Sequence, residues 1–407
     1  EGAANAAQID AIACKAFRIG LGPFGLMNLT GPPIALHSTD YLAEQLNTPR
    51  YTGAANLRAL VEAGEMWPIE DDSAYDETAY AAVSERLLGV VFGVAAQIVE
   101  EDVCSMEDVD RGAKVGLRWA KGPFELMNRV GLKEAHRMAA AYADLAAEGW
   151  SVPDFFTRQA VDGDGWDFSY VDLHMDDGIA TITINRPEAM NALNETVVEQ
   201  LGQAVAKAHA AEGIHTMVLD GAGKAFVAGA DVKFFVDKIR ADAIPDIEVF
   251  TAGGHVVLDT IEASPLTTVA LTTGLALGGG LELALACDYR VGTRRSSFRF
   301  PETGIGIYPG LGGSQRPARI MGRPCARWAV LAGNMMDAGT AHALGILTHL
   351  VPISDVDATV ASIAAAGKPE AKYPGQPSDA EHQNMPNQRL ALRFDAKDVS
   401  RRMHAGT

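Results

Sequence analysis

Residues 274–284 read Gly274-Leu275-Ala276-Leu277-Gly278-Gly279-Gly280-Leu281-Glu282-Leu283-Ala284. Three successive glycines run into an apolar helical stretch. The first N–H groups of a helix have no partner within it and form the positive end of its dipole, a setting that favours negative charge. Glu282 falls in the first turn, among Leu and Ala neighbours. A carboxylate in such company resists ionisation, so its pKa rises toward the range useful for proton transfer. Taken alone, the stretch reads equally well as an acidic residue stabilising a helix dipole.

Working outward, strands alternate with helices. Tyr170 to Met175 alternates, Asp176-Asp177-Gly178 is a hairpin turn signal, and Ile179 to Ile184 alternates again. A helix is expected from about Asn194 to Ala211, then strands over 216–220, 267–271 and 289–292. Further helices are expected from about Gly279 and Gly312. This order implies an α/β domain with parallel strands, running to about Val360. Two more segments inside it resemble the first in character. Lys224-Ala225-Phe226-Val227-Ala228-Gly229-Ala230-Asp231 follows a strand with a Gly/Ala loop whose N–H groups can face an oxyanion; it also reads as a tight strand-to-helix turn. It is not a phosphate loop, because Ala225 follows the Lys and no Gly precedes at the required spacing. In Phe300-Pro301-Glu302-Thr303-Gly304, a second glutamate sits in an apolar, Gly-rich setting; capping of a backbone turn is its bland reading.

Together, and with Asn185-Arg186-Pro187-Glu188-Ala189-Met190-Asn191-Ala192-Leu193 near the start, these segments resemble the enoyl-CoA hydratase/isomerase (crotonase) family over residues about 169 to 360. The resemblance implies that the N–H groups of Ala230 and Gly279 form an oxyanion hole for a thioester carbonyl. It implies that Glu282 and Glu302 are the acid/base pair. It places Arg186, Ala192, Leu193, Lys224 and Ala228 beside the CoA moiety. Hydratases of the family use two carboxylates, whereas its double-bond isomerases typically manage with one at the position of Glu302. Both are present, so hydration of a 2-enoyl-CoA is expected. Isomerisation, other CoA-thioester enolate chemistry and a non-catalytic assembly fragment are the alternatives.

The first 156 residues read as mostly helical and contain a repeat. Residues 18–28 (RIGLGPFGLMN) return at 118–128 (RWAKGPFELMN), with ten identities in twenty-four pairs between 8–31 and 108–131. The first copy contains Gly20-Leu21-Gly22-Pro23-Phe24-Gly25, a literal match to the dinucleotide fingerprint. The second copy has Ala120 and Glu125 at two of its glycines, no strand precedes either copy, and Pro23 removes an N–H from the loop. The fingerprint is therefore read as accidental. The shared Gly-Pro-Phe-x-Leu-Met-Asn-x-x-Gly, after a helix carrying Ile/Val-Asp, resembles the helical C-terminal domain of 3-hydroxyacyl-CoA dehydrogenase, present nearly twice. That resemblance implies a dehydrogenase region whose NAD-binding domain is not in these residues. The order resembles fused β-oxidation enzymes. The helix over 84–100 has its first-copy counterpart before residue 1, so a start inside a repeat, in a longer protein, is expected.

The expected organisation is a multidomain chain, an all-α repeat region followed by an α/β crotonase (ββα superhelix) domain. It comprises a first repeat over 1–70, a second over 78–156, a Gly-rich linker over 157–168, the crotonase domain over 169–360 and a polar tail over 361–407. That tail is expected to carry at most a short charged helix near Ala396 to His404. The net charge of −18 argues against nucleic acid, which needs a basic face. Cys14, Cys104, Cys287 and Cys325 have no metal or redox spacing and suit a reduced, cytoplasmic protein. No stretch is expected to span a membrane, and no metal or hydration cofactor is expected. An acyl-CoA substrate and self-association are what the resemblance implies for partners.

Overall fold

The computed structural model describes residues 3–70, 72–144, 146 and 150–373. The chain divides into two compact units, Glu1–Phe168 and Ser169–Thr407.

The described part of the first unit holds α1 (Ala6–Phe17), α2 (Pro23–Thr30), α3 (Pro32–Gln45), α4 (Ala55–Ala63), α5 (Glu77–Glu100), α6 (Met106–Arg111), α7 (Pro123–Val130), α8 (Leu132–Ala143) and α9 (Asp154–Asp162). The sequence repeat is a repeat of hydrogen bonds. Asp10 accepts from the N–H groups of Phe24 and Gly25, both at 2.7 Å. Asp110 accepts from Phe124 at 2.8 Å and Glu125 at 3.0 Å. Each carboxylate thus caps the helix that opens with Gly-Pro-Phe, where orphan N–H groups and the dipole favour an anion. The amides that a dinucleotide phosphate would need in the Gly20–Gly25 stretch are occupied by the protein's own Asp10. Each of these helices ends at a glycine with positive φ, Gly31 (99°) and Gly131 (93°).

The repeat reaches further than its sequence identities. Asn28 exchanges two hydrogen bonds with the backbone of Trp67, and Asn128 does the same with Trp166, at 2.7–2.9 Å. Each Trp ring packs on the Phe of its own copy, Phe24 at 4.6 Å and Phe124 at 5.2 Å. Residues 157–168, expected as a linker, therefore include the end of α9 and a buried Trp166 that closes the second copy. Polar composition hid this, because one aromatic and one asparagine carry the contact.

Helix α5 is apolar over a length that the sequence reading did not find anywhere in the chain. By length and composition it could cross a membrane, with mean hydropathy 1.6 over its best window, 44% of which is buried inside the protein. Its Phe92 and Ala96 are fully buried in the core of this unit. Gly89 lets it approach α8, since a Cβ there would lie 2.3 Å from the carbonyl oxygen of Met138.

The second unit runs β1 (Val171–Asp176), β2 (Ile179–Ile184), α10 (Glu195–Ala210), β3 (Thr216–Gly221), β4 (Ala225–Ala228), α11 (Val232–Arg240), α12 (Ile244–Glu262), β5 (Thr267–Thr272), β6 (Leu275–Leu277), α13 (Gly279–Ala286), β7 (Tyr289–Gly292), β8 (Ser297–Arg299), α14 (Arg316–Ala332), β9 (Met336–Asp337), α15 (Ala338–Ala343), β10 (His349–Leu350) and α16 (Val356–Ala366). Two sheets form, of order β1-β2-β3-β5-β7-β10 and β4-β6-β8-β9. In the larger sheet all neighbours are parallel except β1 and β2, and in the smaller all except β8 and β9. The chain alternates between sheets, β3 to β4, β5 to β6 and β7 to β8. This gives the expected superhelix of ββα turns. The main core lies around β2, β3, α10, α12 and α13. Five strands were not foreseen: β4, β6, β8, β9 and β10 have only two to four residues and no readable alternation. The helix expected from Gly312 begins at Arg316, and α16 extends past residue 360. The charged helix expected near 396–404 lies outside the described residues.

Asp110 is buried and its carboxyl is pushed up to about 6, chiefly by desolvation and against the pull of its two backbone bonds. Asp110→Ala is expected to lower the stability of the helical unit by about 1–3 kcal/mol, because two buried N–H groups lose their acceptor. Asp10→Ala, less buried, is expected to cost less. A carboxyl whose pKa is raised on folding stabilises most below its unfolded value of 3.8, and that share fades as pH rises through about 6. The gap between parent and Asp110→Ala in calorimetric unfolding should therefore be wider at pH 4 than at pH 7.

Candidate active site

Three adjacent parallel strands of the small sheet end at one place. Ala230 follows β4, Gly279 follows β6, and Glu302 follows β8. Helix α13 starts there and brings Glu282 in its first turn. The four residues expected to carry the chemistry are thus brought together by the carboxyl ends of strands too short to recognise in the sequence.

Ala230 and Gly279 are neighbours across this edge: a Cβ placed on Gly279 would lie 3.8 Å from the nitrogen of Ala230. Among the described residues neither N–H has a hydrogen-bond acceptor. The Gly279 N–H also sits at the positive end of α13. Two unengaged donors side by side are what an oxyanion requires. Backbone must come this close to β4, and only glycine allows it: a Cβ on Gly280 would be 2.0 Å from the carbonyl oxygen of Val227.

The two glutamates are both buried, at 2% and 8% exposure, but they are held differently. One oxygen of Glu282 accepts from the N–H groups of Leu311 (2.7 Å) and Gly313 (2.6 Å). Burial raises its pKa, and the two N–H groups and the nearby Arg316 partly offset this. Glu302 has an oxygen, Oε2, that is buried with no hydrogen-bond partner. Its carboxyl is pushed up to about 7, first by desolvation, with a further push from the charge of Glu282. Its other oxygen lies over Gly278, which has φ 46°, and a Cβ there would be 2.4 Å from it. The two carboxyls are set apart by their surroundings: one has donors that sustain its charge, and the other has an unpartnered atom that can hold a proton.

The residues expected to border CoA divide. Arg186 donates to Asp231 at 2.9 Å and to the Ala192 carbonyl at 3.3 Å, so its guanidinium secures the loop. Leu193 exchanges backbone bonds with Gly229 and Asp231, and the Ala228 N–H donates to Met190. Arg186, Ala192, Leu193 and Ala228 are therefore gathered beside Ala230. Lys224 is exposed and lies before β4, at the opposite end of that strand from the hole.

Sequence reasoning included Asn191 only as part of the 186–193 segment expected to border CoA; it is fully buried with φ 58°. Its amide donates to the carbonyls of Ala222, Ala225 and Phe226, and its oxygen accepts from the Arg186 N–H. It ties the 186–193 loop to the strand that delivers Ala230. Its place between Met190 and Ala192 in the quoted motif was the available signal. Leu311, Gly313 and Arg316 were missed too, because backbone donors leave no trace in side-chain chemistry. Among the described residues no group of His, Cys, Asp and Glu could hold a metal ion.

The enoyl-CoA hydratase/isomerase family model matches residues 179–402. The model of the 3-hydroxyacyl-CoA dehydrogenase C-terminal domain matches residues 1–77 and 83–163. Similar proteins include one named "probable enoyl-CoA hydratase" in Mycobacterium bovis, 38% identical over 45% of this chain and 69% of that protein. Crotonyl-CoA hydratase of Syntrophomonas wolfei is 35% identical over 47% of this chain and 73% of that protein. The enoyl-CoA hydratase structure from Bacillus anthracis aligns with TM-score 0.46 and 25% identity, over 58% of this chain and 89% of that one.

Asn191→Ala is expected to lower stability of the second unit by about 2–4 kcal/mol, since it leaves several buried groups unpaired. Denaturant unfolding checks this; a change within 0.5 kcal/mol, about the size of a neutral surface substitution, would remove the clamp from the account.

Proposed function

Because the chain belongs to the enoyl-CoA hydratase/isomerase family, we propose that it adds water across the double bond of a 2-enoyl-CoA to give the 3-hydroxyacyl-CoA. The observation that carries this is the pair of buried carboxyls, one held by two N–H groups and one with an unpartnered oxygen, beside two unengaged N–H donors. The N–H groups of Ala230 and Gly279 take the thioester oxygen. As water attacks the β-carbon, electron density moves onto that oxygen, and the donors stabilise it with the dipole of α13 behind them. Glu282, kept ionisable by Leu311 and Gly313, takes a proton from the water. Glu302, whose carboxyl holds its proton up to about pH 7, gives one to the α-carbon. Water is added, and no oxidant or cofactor is consumed. Lys224, exposed ahead of β4, is a cation available to a CoA phosphate, and Ala192, Leu193 and Ala228 lie beside Ala230, where the thioester end of the CoA would sit. Arg186 serves by holding that loop.

The helical unit, with its match to the dehydrogenase C-terminal domain, fits a fused β-oxidation enzyme. In such an enzyme the hydratase product is the next substrate. The described cysteines are all free, which suits a reducing cytoplasm.

With crotonyl-CoA, the conjugated enoyl-thioester absorbance is expected to fall. Glu282→Gln and Glu302→Gln should each lower kcat by about 10²–10⁴-fold. A double bond that moves without incorporation of labelled water would identify an isomerase instead. The pH dependence of kcat/KM should be bell-shaped. Activity rises as Glu282 loses its proton, above the ordinary carboxylate range, and falls as Glu302 loses its own near pH 7. A profile flat across pH 6–8 would contradict these roles.

A further inference from the structure

Glu282 has two mounts. Its backbone belongs to α13, and its carboxylate rests on the N–H groups of Leu311 and Gly313. Two adjacent residues far along the chain reach both mounts. The Lys372 ammonium donates to the carbonyl of Ala286, the last residue of α13, and stands 3.7 Å from Asp288 just beyond it. A cation at that end complements the helix dipole. Lys368 adds a second contact to Asp288 at 3.5 Å. The Tyr373 hydroxyl donates to one oxygen of Glu262. The other oxygen of Glu262 holds Arg316 through its Nε at 2.8 Å. Arg316, 4% exposed and also paired with Asp259 at 2.9 Å, donates at 2.7 Å to the carbonyl of Leu311. Leu311 is one of the two residues whose N–H groups hold Glu282.

We propose that Lys372 and Tyr373 are positioning residues for the base, Lys372 by fixing the far end of α13 and Tyr373 by fixing the 311–313 loop through Glu262 and Arg316. Among the described residues, these contacts of Lys372 and Tyr373 fall on Ala286, Asp288 and Glu262 and not on the site itself. Its effect is on where Glu282 stands relative to its two donors. The kinetic side of this inference rests on the hydratase reading above; the structural side does not. The charged groups around Glu282 are Glu302, near the site, and Arg316, so a shift of the 311–316 loop alters both the donors and the cation that sustain its charge.

The test compares Tyr373→Phe and Lys372→Met with parent, with Lys372→Arg as a rescue and Glu370→Gln as an exposed control in the same segment. Amide exchange is followed over residues 309–316, alongside kcat, KM and the acidic limb of the pH profile with crotonyl-CoA. Exchange at Leu311 and Gly313 should quicken at least tenfold in Tyr373→Phe. In both variants kcat should fall about tenfold with KM within twofold, and the acidic limb should move to higher pH. Lys372→Arg should restore most of the loss, and Glu370→Gln should match parent. A fall in melting temperature with exchange, kcat and pH limb unchanged would overturn the proposal, as would slower turnover in Tyr373→Phe without faster exchange at Leu311 and Gly313. If parent shows no hydration, the hydratase reading fails by itself, and the exchange rates still decide whether the linkage exists.

Discussion

A carboxylate taken out of water loses hydration worth several kcal/mol, and it keeps its charge only where fixed donors replace that water. The second unit solves this for Glu282 with backbone alone: two N–H groups converge on one oxygen. Glu302, in the same dry edge, receives no such support at Oε2 and answers by holding its proton. The difference between two chemically similar side chains, and the separate roles proposed for them, thus comes from where peptide N–H groups point. Everything near the site serves that arrangement. Gly278 leaves room for the Glu302 carboxyl, Gly280 lets α13 lie on β4, and Gly313 brings a donor where a side chain would collide with Phe300.

Backbone donors are accurate only if the backbone is immobile. The small sheet supplies part of the rigidity, because β4, β6 and β8 pair side by side, with one register shift between Ala225 and Val227, and end together. Strands of three or four residues would be weak by themselves. They are reinforced from outside: Asn191 grips the turn before β4 and its first residues, and Arg316 grips the 311–313 loop. Both are buried polar groups with their bonds satisfied, the condition under which such groups specify one arrangement rather than weaken it.

The candidate site was legible in the sequence because the residues gathered there lie in stretches of unusual local composition. Three glycines before an apolar helix, and two glutamates away from any charged face, are rare enough to single out 278–282 and 300–304. What holds those residues was not legible. Asn191 acts on carbonyls of a distant segment and Arg316 on that of Leu311 while held by the distant Asp259 and Glu262, and a carbonyl is the same atom in every residue. The short strands carried no period to detect, and the Asn128–Trp166 clasp lay in a stretch whose Gly and Asp content looked like a connection. Arg186 shows the converse. Its place in a familiar motif suggested a ligand contact, whereas the ion pair with Asp231 commits it to the protein.

The helical unit obeys the same electrostatic rule with the opposite outcome. A glycine loop opening a helix offers unpaired N–H groups to an anion, and nothing in the loop specifies whose anion it is. In the second unit the donors of Ala230 and Gly279 stay unengaged, so a substrate oxygen can enter. In both copies of the repeat the donors are taken by an internal carboxylate, Asp10 or Asp110, at 2.7–3.0 Å. An aspartate placed fourteen residues before the first donor it holds therefore turns a binding motif into a structural cap. That spacing is identical in the two copies, and it survives where the fingerprint glycines do not. The feature that distinguishes a cap from a cradle is thus the presence of an internal acceptor, which the glycine pattern alone does not encode.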